Sequence, residues 1–148
     1  MYQRETLGMD DARTIVEAVL NEALKEPIRP IAVAVVDHHG DLVYAARMDG
    51  SGPLFPHMAI NKAYTSSRLG MDTAQMAERQ KEFQRELATW GDNKLSDIRG
   101  GVVIIKPGKN YFPGQEKRGT VLGGIGVSGR LASEDEELAR VGLNALNL

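Results

Sequence analysis

The sequence predicts an α+β fold: one antiparallel sheet, with helices set apart from it along the chain. Two observations carry this. Two pairs of strand-like segments each read as a hairpin, Ile31 to Val36 with Leu42 to Met48, and Val102 to Ile105 with the stretch Gly119 to Gly129. Helical periodicity occurs before, between and after these pairs, not in the alternating order of a parallel sheet. The 148 residues suit one domain, 1–148, and 42% hydrophobic with 26% charged residues is ordinary for a globular chain.

Ala12, Ile15, Val16, Val19, Leu20, Ala23 and Leu24 recur at helical spacing, with Asp10 and Asp11 suited to the positive end of the helix dipole and Pro27 barring continuation. Ile31 to Val36 is a continuous apolar run, the pattern of a strand buried on both faces. Asp37, His38, His39 and Gly40 form the turn into the second strand, and the two histidines read as solvated turn residues. Asp49 to Pro53 is a loop of turn-forming residues. Pro56 and His57 precede a helix with Ile60, Ala63, Tyr64 and Ser67 on one face, ending at Gly70. Asp72 and Gln75 form a capping box for the next helix, and Ser133 with Glu136 one for the last.

The segment Lys106 to Arg118 is basic and too irregular for one element, with a short strand expected near Tyr111 and Phe112. The strand it leads into is unusual. Alternation puts Val121, Ile125 and Val127 on one face and Gly124, Gly126 and Ser128 on the other. One face can fill a core, while the other is bare. Close packing of a helix or a second subunit is the favoured reading of the bare face. An anion cradle built from Gly124, Gly126 and Ser128 beside the following helix N-terminus is the alternative.

Composition excludes several function classes. A net charge of −2 gives no electrostatic reason to bind nucleic acid or an acidic membrane. The absence of cysteine removes disulfides, thiolate metal sites and a cysteine nucleophile. No signal-like apolar segment opens the chain, and no apolar run reaches the roughly 18 residues of a membrane span, so a cytoplasmic location is expected.

Three pieces in order, AVAVVDHHGDLVYAARMDG (Ala32 to Gly50), Lys62-Ala63, and GGIGVSG (Gly123 to Gly129) followed by EDEELA (Glu134 to Ala139), resemble the GlcG/HbpS-like or haem-degrading domain family. That domain also forms the C-terminal part of some PduO-type corrinoid adenosyltransferases. The resemblance implies a profilin-like fold with a five-stranded antiparallel sheet. It also implies a homo-oligomer built from dimers, and haem as the candidate cofactor.

Within that resemblance the candidate residues take definite roles. His57, at a helix start after a glycine-rich loop, is the candidate iron ligand or general base, since imidazole serves both. Arg47 and Asp49 match the family's Arg-x-Asp-Gly motif, and the Arg47 guanidinium suits a carboxylate or propionate. Lys62 stands at the family's Lys-Ala position, as an anion ligand or a catalytic base. The leading expectation is a binder of a small anionic molecule, with haem the specific candidate and haem degradation its associated activity. One alternative is a cofactor-independent isomerase, tautomerase or hydrolase of a carboxylated metabolite, with His57 or Lys62 moving the proton. The other is a non-catalytic accessory subunit whose glycine face meets another protein.

Overall fold

The computed structural model describes residues 1–108 and 119–148. The elements run α1 (Met9–Ala23), β1 (Ala32–Asp37), β2 (Leu42–Arg47), α2 (Leu54–Leu69), α3 (Thr73–Glu82), a short 3₁₀ turn (Leu87–Trp90), β3 (Gly101–Lys106), β4 (Thr120–Ser128) and α4 (Ala132–Asn144). Both expected hairpin pairs form, and β1 also pairs antiparallel with β4, giving the order β2-β1-β4-β3.

The sheet has four strands among the described residues, where five were expected. The edge at β3 shows why no strand adds there. The outward N–H of Gly101 donates to Thr73 Oγ1 at 3.0 Å, and that of Val103 donates to Asp72 Oδ1 at 2.9 Å. The start of α3 thus satisfies the ladder groups a further strand would use. The strand anticipated near Tyr111 and Phe112 lies outside the described residues.

One face of the sheet carries the main core. Val33, Val35, Val102, Ile104, Ile125 and Val127 pack with Ile15, Val16 and Val19 of α1 and with Leu138 and Ala139 of α4. Burying each such aliphatic side chain is worth about 1.5–3 kcal/mol, which makes this layer the principal source of stability. Gly142 lets α4 cross close to α1, because a Cβ there would stand 2.8 Å from the Ile15 and Val19 methyls.

Strict alternation fails at one point of β4. Ile104 pairs with Gly123 but Ile105 pairs with Val121, so Leu122 is an extra residue in a bulge. Leu122 therefore joins Ile125 and Val127 in the core, and Val121 turns to the other side, against the end of α2 at Gly70. The carbonyl of Leu122 accepts the N–H of Leu7, which ties the N-terminal segment to the sheet.

Helix limits differ from expectation at two N-termini. α2 starts at Leu54, so Pro56 lies inside its first turn, where a missing N–H costs nothing. α4 starts at Ala132, and Glu134, not Glu136, reaches back to a backbone N–H, that of Leu131, at 3.3 Å. Glu136 instead receives Arg99 at 2.8 Å. No helix among the described residues is long and apolar enough to cross a membrane.

Candidate functional site

α2 lies on the bare face of β4. A Cβ on Gly126 would overlap the Ala59 carbonyl oxygen, and one on Gly124 would overlap the Ala63 carbonyl oxygen and Ser66 Oγ. On β1, Ala34 stands opposite Gly126 and Ala32 opposite Ser128, both packed with Ala59, while Val36 stands opposite Gly124. The small residues of three elements together let a helix backbone touch a strand. Gly124 and Gly126 are thus covered by the chain's own helix, and Ser128 is buried beside them.

That contact drives Lys62 inward. Its side chain is 2% exposed, and its ammonium donates to the Val127 carbonyl at 2.8 Å and to Asp135 Oδ2 at 3.3 Å. Gly100, at φ +122°, closes over it, since a Cβ there would stand 2.9 Å from Nζ. Burial pushes the Lys62 ammonium below its ordinary value and the Asp135 carboxyl above its own, each partly offset by the other's charge. Asp135 Oδ1 also accepts the N–H of Arg130 at 3.0 Å. The Arg130 guanidinium in turn donates to the carbonyls of Ala23, Glu26 and Arg29 at the end of α1. One polar chain therefore joins α2, β4, α4 and α1, and the N-terminus of α4 is held by its own carboxylates. Lys62 is sealed from solvent, so it cannot exchange a proton with an outside molecule without local opening.

The other candidates lie on the surface. His57 is exposed on the first turns of α2, with Nε2 at 3.3 Å from the Asn61 side-chain amide. Arg47 and Asp49 are exposed at the end of β2 and, with Leu20, Leu24, Pro27 and Met48, border an open groove of about 320 Å³. Register puts Arg47 opposite Ala32, which packs against α2, while its groove neighbours Leu20 and Leu24 belong to the α1 side, so Arg47 stands at the end of β2 between the two layers. The predicted residues thus divide between a buried node (Lys62, Ser128), a helix-covered strand (Gly124, Gly126) and an exposed set (His57, Arg47, Asp49). Sequence reasoning missed Asp135 and Arg130 as the partners of the buried lysine. The signal was present in Lys62 itself, a lysine one residue before Ala63 on the apolar side of α2, which needs a buried carboxylate.

Among the described residues, no three histidines, cysteines or carboxylates gather into a metal-holding group. A haem needs less, one axial donor and cations for its propionates. His57 and Arg47 offer that donor chemistry. The glycine face does not offer a slot, because α2 fills it.

The family model described as "Haem degrading protein HbpS-like" matches residues 7–144. The chain belongs to the HbpS-like family. It is 27% identical over 150 residues to an uncharacterized 15.0 kDa protein of the dhaT-dhaS intergenic region of Citrobacter freundii, covering 98% of this chain and 95% of that one. It is 25% identical to the corrinoid adenosyltransferase PduO of Salmonella typhimurium, covering 96% of this chain but spanning only 39% of that enzyme. Its structure is similar to that of a double mutant of Streptomyces reticuli HbpS, with a TM-score of 0.81 at 26% identity, covering 100% of this chain and 92% of the other. A PduOC:haem complex shares the fold, with a TM-score of 0.80 at 21% identity and 96% of both chains covered.

Proposed function

We propose that this HbpS-like chain binds haem on its outer surface, on the α2 side of the sheet. The observation that carries the reading is the exposed His57 imidazole on α2 together with exposed Arg47 at the end of β2, whose register partner Ala32 packs against that helix. The family's description as haem degrading supports it, as does the fold shared with a haem complex. α2 fills the space over Gly124 and Gly126, which supports a seat outside the helix–strand contact. In that seat His57 would hold the iron and Arg47 would pair with a propionate. Bound haem supplies an iron centre able to react with oxygen, and degradation of the bound haem is the activity we assign with it.

Among the described residues no strand pairs with the outer edge of β2, and Leu42 and Ala45 are exposed on it. A homo-oligomer built from dimers would complete one side of such a seat. Within the α+β class we assign the profilin-like type, and a cytoplasmic location.

The test is a haem titration of the full chain followed in the visible spectrum. A saturable Soret band that is lost in His57→Ala is the expected result, followed by decay of that band under air with ascorbate. No saturable band, or the same band in His57→Ala, overturns the assignment.

A further inference from the structure

A second surface site lies away from the Arg47–Asp49 groove and from His57. His38 of the β1–β2 turn, Arg68 and Leu69 at the end of α2, and Trp90, Asp92 and Leu95 of the segment before β3 line a depression of about 310 Å³. Its walls are held in place. Tyr64 donates its hydroxyl to Asp92 Oδ2 at 2.6 Å, and Asp92 Oδ1 accepts the N–H of Lys94 at 3.0 Å. Arg68 donates to the His39 carbonyl at 3.2 Å and stands 5.8 Å from the centre of the Tyr64 ring, with Lys94 Nζ at 5.3 Å from the same ring. His38 Nδ1 is engaged with Thr6 Oγ1 at 2.6 Å.

Charge and shape together point to one ligand class. The lining holds one cation, Arg68, and one carboxylate, Asp92, whose oxygens are already engaged by the Tyr64 hydroxyl and the Lys94 N–H, and among the described residues Arg68 forms no ion pair. One nitrogen of its guanidinium meets the His39 carbonyl, and the remaining N–H groups can meet a carboxylate. Trp90 is 43% exposed beside Leu69 and Leu95, an apolar wall with a large flat ring. Half-exposed indole next to arginine is the residue pairing that carries recognition at binding surfaces. A volume of about 310 Å³ admits one substituted ring and not a tetrapyrrole. We infer that this depression binds a small aromatic monocarboxylate, its ring against Trp90 and its carboxylate on Arg68. The site is independent of haem.

Trp90 is the chain's single tryptophan, so its emission reports on this place alone. The full chain is titrated with benzoate, with benzyl alcohol (ring, no charge) and acetate (charge, no ring) as comparisons. A saturable change with benzoate, absent with the other two, is expected. Arg68→Gln, an exposed position, should weaken the benzoate response about tenfold or more through loss of a charge-assisted pair. His57→Ala should leave the response intact even where it abolishes the Soret band. An equal response to benzyl alcohol, an equal affinity in Arg68→Gln, or no saturation with benzoate overturns the inference. The first and third outcomes are read on the unsubstituted chain and do not depend on how any variant folds.

Discussion

Lys62 Nζ lies 3.3 Å from Asp135 Oδ2, with both side chains almost wholly out of solvent and the Val127 carbonyl as the ammonium's second acceptor. A buried pair of this kind is more costly to break than to remove. Asp135→Asn leaves a buried ammonium without its counter-charge and should lower unfolding free energy by about 3–5 kcal/mol. The double variant Lys62→Met with Asp135→Leu should fall far less, or rise. Urea unfolding of both variants decides it, and a double variant as unstable as Asp135→Asn would contradict this account.

The same pair sets a pH dependence whose sign follows from burial. Asp135 is raised above 3.8 in the folded chain, so its contribution to stability is lost as pH rises from about 3.8 through that raised value. Lys62 is lowered below 10.5, so its contribution recovers as pH rises from that lowered value toward 10.5. Both charged forms are therefore least favoured by folding around neutrality. The stability of the Met–Leu double variant relative to the natural chain should be highest near neutral pH and decline toward both extremes. A difference that stays flat with pH would contradict the burial argument.

Gly126→Ala should separate α2 from β4. The added carbon meets the Ala59 carbonyl oxygen and stands 2.7 Å from the Ala63 nitrogen, and backbone cannot swing aside as a side chain can. Overpacking of this sort costs about 1–3 kcal/mol or more, measurable as a lower denaturation midpoint. An unchanged midpoint would show that the helix is free to lift.

The Asp72 carboxylate accepts the Val103 N–H at 2.9 Å and Arg140 at 2.7 Å, while its own N–H donates to Gln75 Oε1 at the start of α3. Asp72→Ala should cost about 1–3 kcal/mol as the strand-edge bond and the ion pair are lost together. Asp72→Asn keeps an acceptor for the Val103 N–H and should cost clearly less. Equal losses in the two would assign the effect to the Arg140 pair alone.

Arg47→Gln removes an exposed cation that forms no ion pair among the described residues, so the melting temperature should hold. Haem affinity should fall about fivefold to tenfold as a charge-assisted contact to a propionate is lost. Unchanged affinity would remove Arg47 from the proposed seat.

Much of the fold was legible because its signals are local. The apolar spacing of α1, the unbroken run of β1 and the Asp72–Gln75 box each report on a few neighbouring residues. The bulge at Leu122 was not legible, since an extra residue in one strand is visible only against its partner Ile104-Ile105. The site was legible in part. Arg47 and His57 were picked out by residue type and motif, and only the structure places them on the surface, while Lys62 had to be seen beside Asp135, 73 residues away, before its burial made sense.

By itself the sequence determined the α+β class, the two hairpins and the presence of one strand with a face stripped of side chains. Those properties depend on side-chain period and on the missing Cβ of glycine, both local facts. Only the tertiary structure decided what occupies that face. α2 fits there because Ala32, Ala34, Ala59 and Ala63 are small where Gly124 and Gly126 are bare, and a contact between backbones is a property of all three elements at once. Once the helix is seated, Lys62 has no way out except to Asp135 and Val127. The residues left for outside chemistry are then those that the packing does not use.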